Sequence, residues 1–125
     1  MRIHESSEDY LETILVLSKR KQFVRSIDIV NELNYSKPSV SVAMKHLRER
    51  GQIVMDPDGY ITLTDTGREI AEHIYERHLV ISNLLIRLGV AEETAREEAC
   101  RIEHDISQDT FEKLKAWLEA NGVIQ

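Results

Sequence analysis

The residues best suited to chemistry are Asp9, Glu12, His78, Cys100, Glu103 and His104. Asp9 and Glu12 are three positions apart, so on a helix they share one face. Cys100, Glu103 and His104 stand at i, i+3 and i+4, which would put them on one face of a second helix. His78 interrupts an apolar helical stripe where a hydrophobe is expected. Carboxylate, imidazole and thiolate are the side chains that bind first-row divalent metals. Buried together without a cation, they would be costly.

Each residue also has a structural explanation. Asp9 can stabilise a helix N-terminus, and Glu12 can pair with Arg2 or another surface cation. His78 can be a satisfied core histidine and Cys100 a small buried hydrophobe. Glu103 and His104 can belong to an acidic surface helix. A nucleophilic Cys100–His104 pair has no visible oxyanion device or orienting third group, and no general base is apparent, so an enzyme is not expected.

A second constellation suits nucleic acid. Ser36, Lys37, Pro38, Ser39, Ser41, Val42 and Lys45 lie at and after the start of a short helix. Hydroxyls can meet phosphates or base edges, and Pro38 and Val42 can touch a thymine methyl. Lys37, Lys45, Arg48 and Arg50 can neutralise phosphates. No Arg or Gln stands at the helix start to make bidentate base contacts, so readout would lean on DNA shape. Ser36 and Ser39 can equally serve only as helix caps.

The elements that must position these groups follow from periodicity and turn chemistry. Ser6-Ser7-Glu8-Asp9 reads as a helix start, followed by Tyr10, Leu11, Ile14, Leu15 and Leu17 at helical spacing. Ser26 is placed to cap a second helix with Ile27, Val30 and Leu33. Asn34-Tyr35 reads as a turn. Ser36 is placed to cap a third helix with Val40, Met44 and Leu47 on one face, ended by Gly51. Gln52–Met55 and Tyr60–Leu63 form a hairpin across Asp56-Pro57-Asp58-Gly59. A long helix is expected from Thr64 to Leu88, with Ile70, Ile74, His78, Ile81, Leu85 and Leu88 as its stripe. Further helices are expected over residues 92–105, with Ala95, Ala99, Ile102 and Ile106 on one face, and after Ser107, with Phe111, Leu114 and Leu118.

The fold expected is mainly α with a small β-hairpin wing. A winged helix-turn-helix over residues 1–66 is followed by a helical dimerisation and metal-binding domain over 67–125. The net charge of −6 conceals a polarity. Residues 18–50 carry eight Lys/Arg against three Asp/Glu, whereas residues 69–125 carry six against twelve. One basic segment can therefore face phosphates while the rest stays acidic. There is no apolar run of membrane-spanning length, no visible signal peptide and only one cysteine, so a cytoplasmic protein without membrane partners is expected.

The motifs Glu8-Asp9-Tyr10-Leu11-Glu12-Thr13-Ile14, Ser36 to Ser41, Arg77-His78, and Glu98-Ala99-Cys100-Arg101-Ile102-Glu103-His104 followed by Ser107 carry a resemblance. From about Ser7 to Leu114 the chain resembles the metal-dependent transcriptional repressors typified by the diphtheria toxin repressor and the manganese transport regulator. The resemblance implies that Asp9, Glu12, His78, Cys100, Glu103 and His104 are metal ligands. It implies a homodimer that binds a palindromic DNA operator and controls metal-homeostasis genes. Phe111, Leu114, Trp117 and Leu118 are candidates for the dimer surface or for the monomer core. The manganese-type branch matches Asp9 and Glu12 but carries glutamate where Cys100 stands. The iron-type branch matches Cys100 but carries methionine in place of Asp9 and no acid in place of Glu12. Ser82 and Arg96 stand where the iron-type branch places the glutamate and histidine of an ancillary site. The implied cofactor is Mn(II) or Fe(II), with Co(II) or Zn(II) able to bind in vitro. The length implies the short form, without the barrel-like C-terminal domain of longer members. The rival expectations are a metal-independent winged-helix regulator, a partner-binding module and a small metal-dependent enzyme.

Overall fold

The first helix, α1 (Ile3–Arg20), turns Tyr10, Leu11, Ile14, Leu15 and Leu17 inward because they recur at helical spacing. The computed structural model that shows this describes residues 3–122. The helix starts before the expected Ser6 cap, so Asp9 lies well past its first turn. The helix dipole acts within about one turn. Asp9 is therefore not explained as an N-terminal charge. The suggested Glu12–Arg2 pair lies outside the described residues.

Helix α2 (Ser26–Leu33) is capped differently from expectation. Arg25 occupies the cap position, and the Asp28 carboxylate accepts from its backbone N–H at 2.9 Å. Lys21 Nζ donates to the same carboxylate at 2.6 Å. This ammonium, with the Arg25 N–H, holds the Asp28 carboxyl below its ordinary range despite partial burial. The stability it contributes is full above the unfolded carboxyl pKa of about 4. It is lost as pH falls through the lower folded-state value. Asp28→Asn is expected to cost about 1 kcal/mol at neutral pH. Thermal melts across the acid range should show the difference shrinking as pH falls.

Asn34 adopts a left-handed conformation with φ 58° and ends α2, which leads into α3 (Lys37–Glu49). The Ser36 hydroxyl accepts from Ser39 N at 3.2 Å, and Pro38 needs no donor in the first turn. Val40, Met44 and Leu47 are buried, as their spacing requires. The hairpin pairs β1 (Ile53–Met55) with β2 (Ile61–Leu63) antiparallel, with Val54 opposite Thr62. Asp56 Oδ1 accepts from the Asp58 and Tyr60 amides at 2.9 Å each, and Gly59 takes the φ of 84° that closes the turn. The Val24 carbonyl accepts from Ile61 N at 2.7 Å, tying the loop before α2 to the wing.

Helix α4 (Asp65–Arg87) is capped by the Thr64 hydroxyl, which accepts from Gly67 N at 3.2 Å and donates to the Gly51 carbonyl at 2.7 Å. Gly67 is required by space: a Cβ there would run into the Gln52 carbonyl. Two compact units divide within α4, between Glu72 and His73. In the second, α5 (Glu92–Ile102) buries Ala95 and Ala99, while Ile102 is 37% exposed. Helix α6 (Gln108–Ala120) is capped by Ser107, whose hydroxyl accepts from Thr110 N at 3.1 Å. Val80, Phe111 and Leu118 form the core of this unit, with Leu84, Ile106 and Leu114 against it. Among the described residues no helix is long and apolar enough to cross a membrane.

Candidate metal centre and nucleic-acid interface

Helix α5 stops at Ile102, earlier than the expected 105. Glu103 is the cap residue, with helical φ −59° and ψ −24° and its N–H donating to the Ala99 carbonyl at 2.9 Å, so it continues the face of Cys100, and His104 follows in the turn. Cys100 is exposed, Glu103 is 0% exposed, and the His104 side chain is 2% exposed.

His78 meets them from α4. Its Nδ1 lies 3.2 Å from Glu103 Oε2 and 3.7 Å from Cys100 Sγ. Ligand atoms of His78, Cys100 and Glu103 all lie within 4.8 Å of one another. Ligands around one first-row ion sit roughly 3–4 Å apart, given bonds of about 2.0–2.3 Å. Small side-chain adjustments would bring them to that spacing.

The decisive atom is Glu103 Oε1. It is buried and makes no hydrogen bond among the described residues. His104 Nε2 is 3.5 Å away, too long for a good hydrogen bond. A buried carboxylate oxygen left in this way is costly unless a cation meets it. The carboxylate, imidazole and thiol of Glu103, His78 and Cys100 form a donor set that fits a divalent transition metal.

Asp9 and Glu12 are placed one turn apart on α1, both partly buried, in the first unit. Of the two ancillary positions, Ser82 is buried, and Arg96 is exposed and pairs with Glu92 at 2.7 Å.

Sequence reasoning missed Arg77. Its Nη1 donates to the Glu103 carbonyl at 2.8 Å and the Ile106 carbonyl at 2.9 Å, and its Nη2 donates to Gln108 Oε1 at 2.8 Å. The only signal was its place beside His78 in the quoted motif.

On the other unit, Ser36, Lys37, Pro38, Ser39, Ser41, Val42 and Lys45 are all exposed. Ser36 is also occupied as the cap, and its hydroxyl donates to Ser39 Oγ at 2.8 Å. Val42 is 54% exposed, opposite the buried Val40 and Met44. Helix α3 thus offers a polar, basic outer face with small apolar groups. Arg50 is held by Ser7, donating to its hydroxyl at 2.9 Å. Near the wing, Phe23 stacks on Tyr60 with centroids 4.4 Å apart, and the Arg25 guanidinium carbon lies 4.5 Å from the Tyr60 centroid.

Comparison with known proteins agrees with both halves. Residues 2–61 match the iron-dependent repressor N-terminal DNA-binding domain. Residues 64–121 match the iron-dependent repressor metal-binding and dimerisation domain. The transcriptional regulator MntR of Escherichia coli O6:H1 is 33% identical over 94% of this chain and 76% of its own length. An uncharacterised HTH-type transcriptional regulator of Methanocaldococcus jannaschii is 36% identical over 92% of this chain and 94% of its own. Among solved structures, the manganese regulator SloR superposes with a TM-score of 0.81 at 30% identity, covering 90% of this chain. A manganese-dependent transcriptional repressor in complex with manganese gives 0.83 at 26% identity, also over 90% of this chain. The chain spans about half the length of these two structures, 53% and 52%. With a winged helix-turn-helix in the first unit and a buried carboxylate beside His78 and Cys100 in the second, the chain belongs to the iron-dependent repressor family of metal-dependent transcription regulators.

Proposed function

We propose that this chain is a metal-dependent transcriptional repressor that binds double-stranded DNA as a homodimer and controls metal-ion homeostasis genes. The observation that carries it is the Glu103 carboxylate, buried with one oxygen lacking a hydrogen bond beside His78, Cys100 and His104. His78, Cys100, Glu103 and His104 would hold the ion, and the family resemblance adds Asp9 and Glu12. A bound cation would place a full positive charge beside the buried carboxylate. The oxygen and nitrogen ligands suit Mn(II) or Fe(II), and the Cys100 thiolate adds weight to Fe(II).

The exposed face of α3 supplies the grip. Lys37 and Lys45 neutralise phosphates, Ser39 and Ser41 offer hydroxyls, and Val42 reaches bases. A two-fold dimer presents two such helices to two half-sites of a palindromic operator. Metal acts by favouring the DNA-competent population, which requires only that it bind that population better.

The test is fluorescence anisotropy with duplex fragments of the source genome, under reducing, anaerobic conditions. Tight binding is expected with Mn(II) or Fe(II) and should be lost on strong chelation. The logarithm of affinity should fall with the logarithm of salt at about 0.9 per phosphate neutralised, and Lys45→Ala should reduce that slope by about one. Equal binding with and without metal would defeat the gating, and an absent salt dependence would defeat DNA binding through α3.

A further inference from the structure

Arg77 belongs to neither the ligand set nor the DNA face, yet its guanidinium makes three hydrogen bonds. All three of its acceptors belong to one short segment, the turn from Glu103 to Gln108 that joins α5 to α6. The acceptors are two main-chain carbonyls and one side-chain amide oxygen. That amide is itself oriented, because Gln108 Nε2 donates to Glu112 Oε1 at 3.1 Å. The guanidinium carbon also lies 5.3 Å from the Phe111 ring centroid, so the planar group is backed by the core of its own unit.

A turn after a helix end leaves carbonyls that the helix cannot satisfy. Here a cation from α4, remote in sequence, satisfies two of them. One of the two is the carbonyl of Glu103, whose carboxylate is buried against His78. His78 is the next residue after Arg77 on α4. One helical turn thus delivers a metal-binding imidazole and the fork that fixes the backbone of its carboxylate neighbour.

We infer that Arg77 is a positioning residue for the metal centre, clamping the Glu103–Gln108 turn so that the Glu103 carboxylate faces His78 and Cys100. The inference rests on the metal-binding function proposed above. It predicts that the turn is preformed before metal arrives, which spares the ion the entropy of ordering it. It also predicts that lysine is a poor replacement. Lysine keeps the charge but cannot fork toward three acceptors in fixed directions.

The test uses the full chain with Arg77→Gln and Arg77→Lys. Lys115→Met, which breaks the 2.8 Å Lys115–Glu76 pair in the same unit, is the control for general destabilisation. Two quantities are read. Amide hydrogen exchange of residues 103–108 is measured in the chelated protein, and Co(II) alone is titrated by its visible absorption. Arg77→Gln should speed exchange in that segment and weaken Co(II) binding by about 10- to 100-fold. Arg77→Lys should fall between it and the parent, and it carries the same comparison if Arg77→Gln does not fold. Lys115→Met should leave both readouts near the parent. Parent-like exchange in the Arg77 variants overturns the clamp. So does Co(II) affinity within about twofold of the parent, or a loss that Lys115→Met matches. A parent that binds no Co(II) overturns the metal reading and the positioning role with it. That failure is distinguishable, because the exchange comparison is made without metal.

Discussion

Glu103→Gln is expected to destroy metal binding while making the metal-free protein harder to melt. The two effects have opposite signs because one group serves both. The Glu103 side chain is 0% exposed, and its Oε1 has no hydrogen-bond partner among the described residues. Without a cation, that charge is desolvated at a cost. Glutamine keeps the shape and removes the charge, so the chelated variant should gain about 1 kcal/mol or more, a shift of a few degrees in melting temperature. With metal the balance reverses. Losing an orienting partner outside the ligand set typically costs about 10- to 100-fold in affinity, so losing a charged ligand should cost at least the upper figure. Thermal denaturation under chelation and a Co(II) titration read the two halves separately. A variant that binds metal like the parent would remove Glu103 from the ligand set. A chelated variant less stable than the parent would show that the carboxylate is structurally satisfied without metal.

Phe111→Ala is expected to cost about 3–5 kcal/mol in the second unit, the usual penalty for emptying a large aromatic site. Phe111 is 1% exposed and, with Val80 and Leu118, forms the centre of that unit. Its ring also backs the Arg77 guanidinium. The loss should therefore reach the turn that carries Glu103 as well as the packing. The chain has a single tryptophan, Trp117, on α6, so its fluorescence during urea unfolding reports on this unit. A midpoint within experimental error of the parent would mean that the α6 core tolerates the cavity. Metal affinity measured where the variant is still folded should fall along with stability.

Much of the fold was legible in the sequence because the signals are local. The Val40, Met44 and Leu47 face, the Ser36 cap and the Asp56–Gly59 turn each depend on residues within a few positions, and each stands where it was expected. The less legible features were helix ends. Ser26 resembles a cap, but Asp28 caps from inside because Lys21 and the Arg25 amide converge on it. The helix expected over residues 92–105 stops at Ile102, with Glu103 as its cap and His104 in the turn beyond.

By itself the sequence determined the helix-turn-helix, the wing, the basic central segment and the residue types able to bind a metal. It did so through periodicity, turn chemistry and family motifs, which are properties of neighbouring residues. Tertiary structure alone decided which of those side chains is desolvated. The Glu103 carbonyl is held by an arginine 26 residues away, and its carboxylate faces a histidine 25 residues away. Burial and long-range hydrogen bonding are sums over contacts that the chain makes only when folded. The winged helix was therefore legible at once, whereas the buried carboxylate beside His78, Cys100 and His104 became visible only in three dimensions.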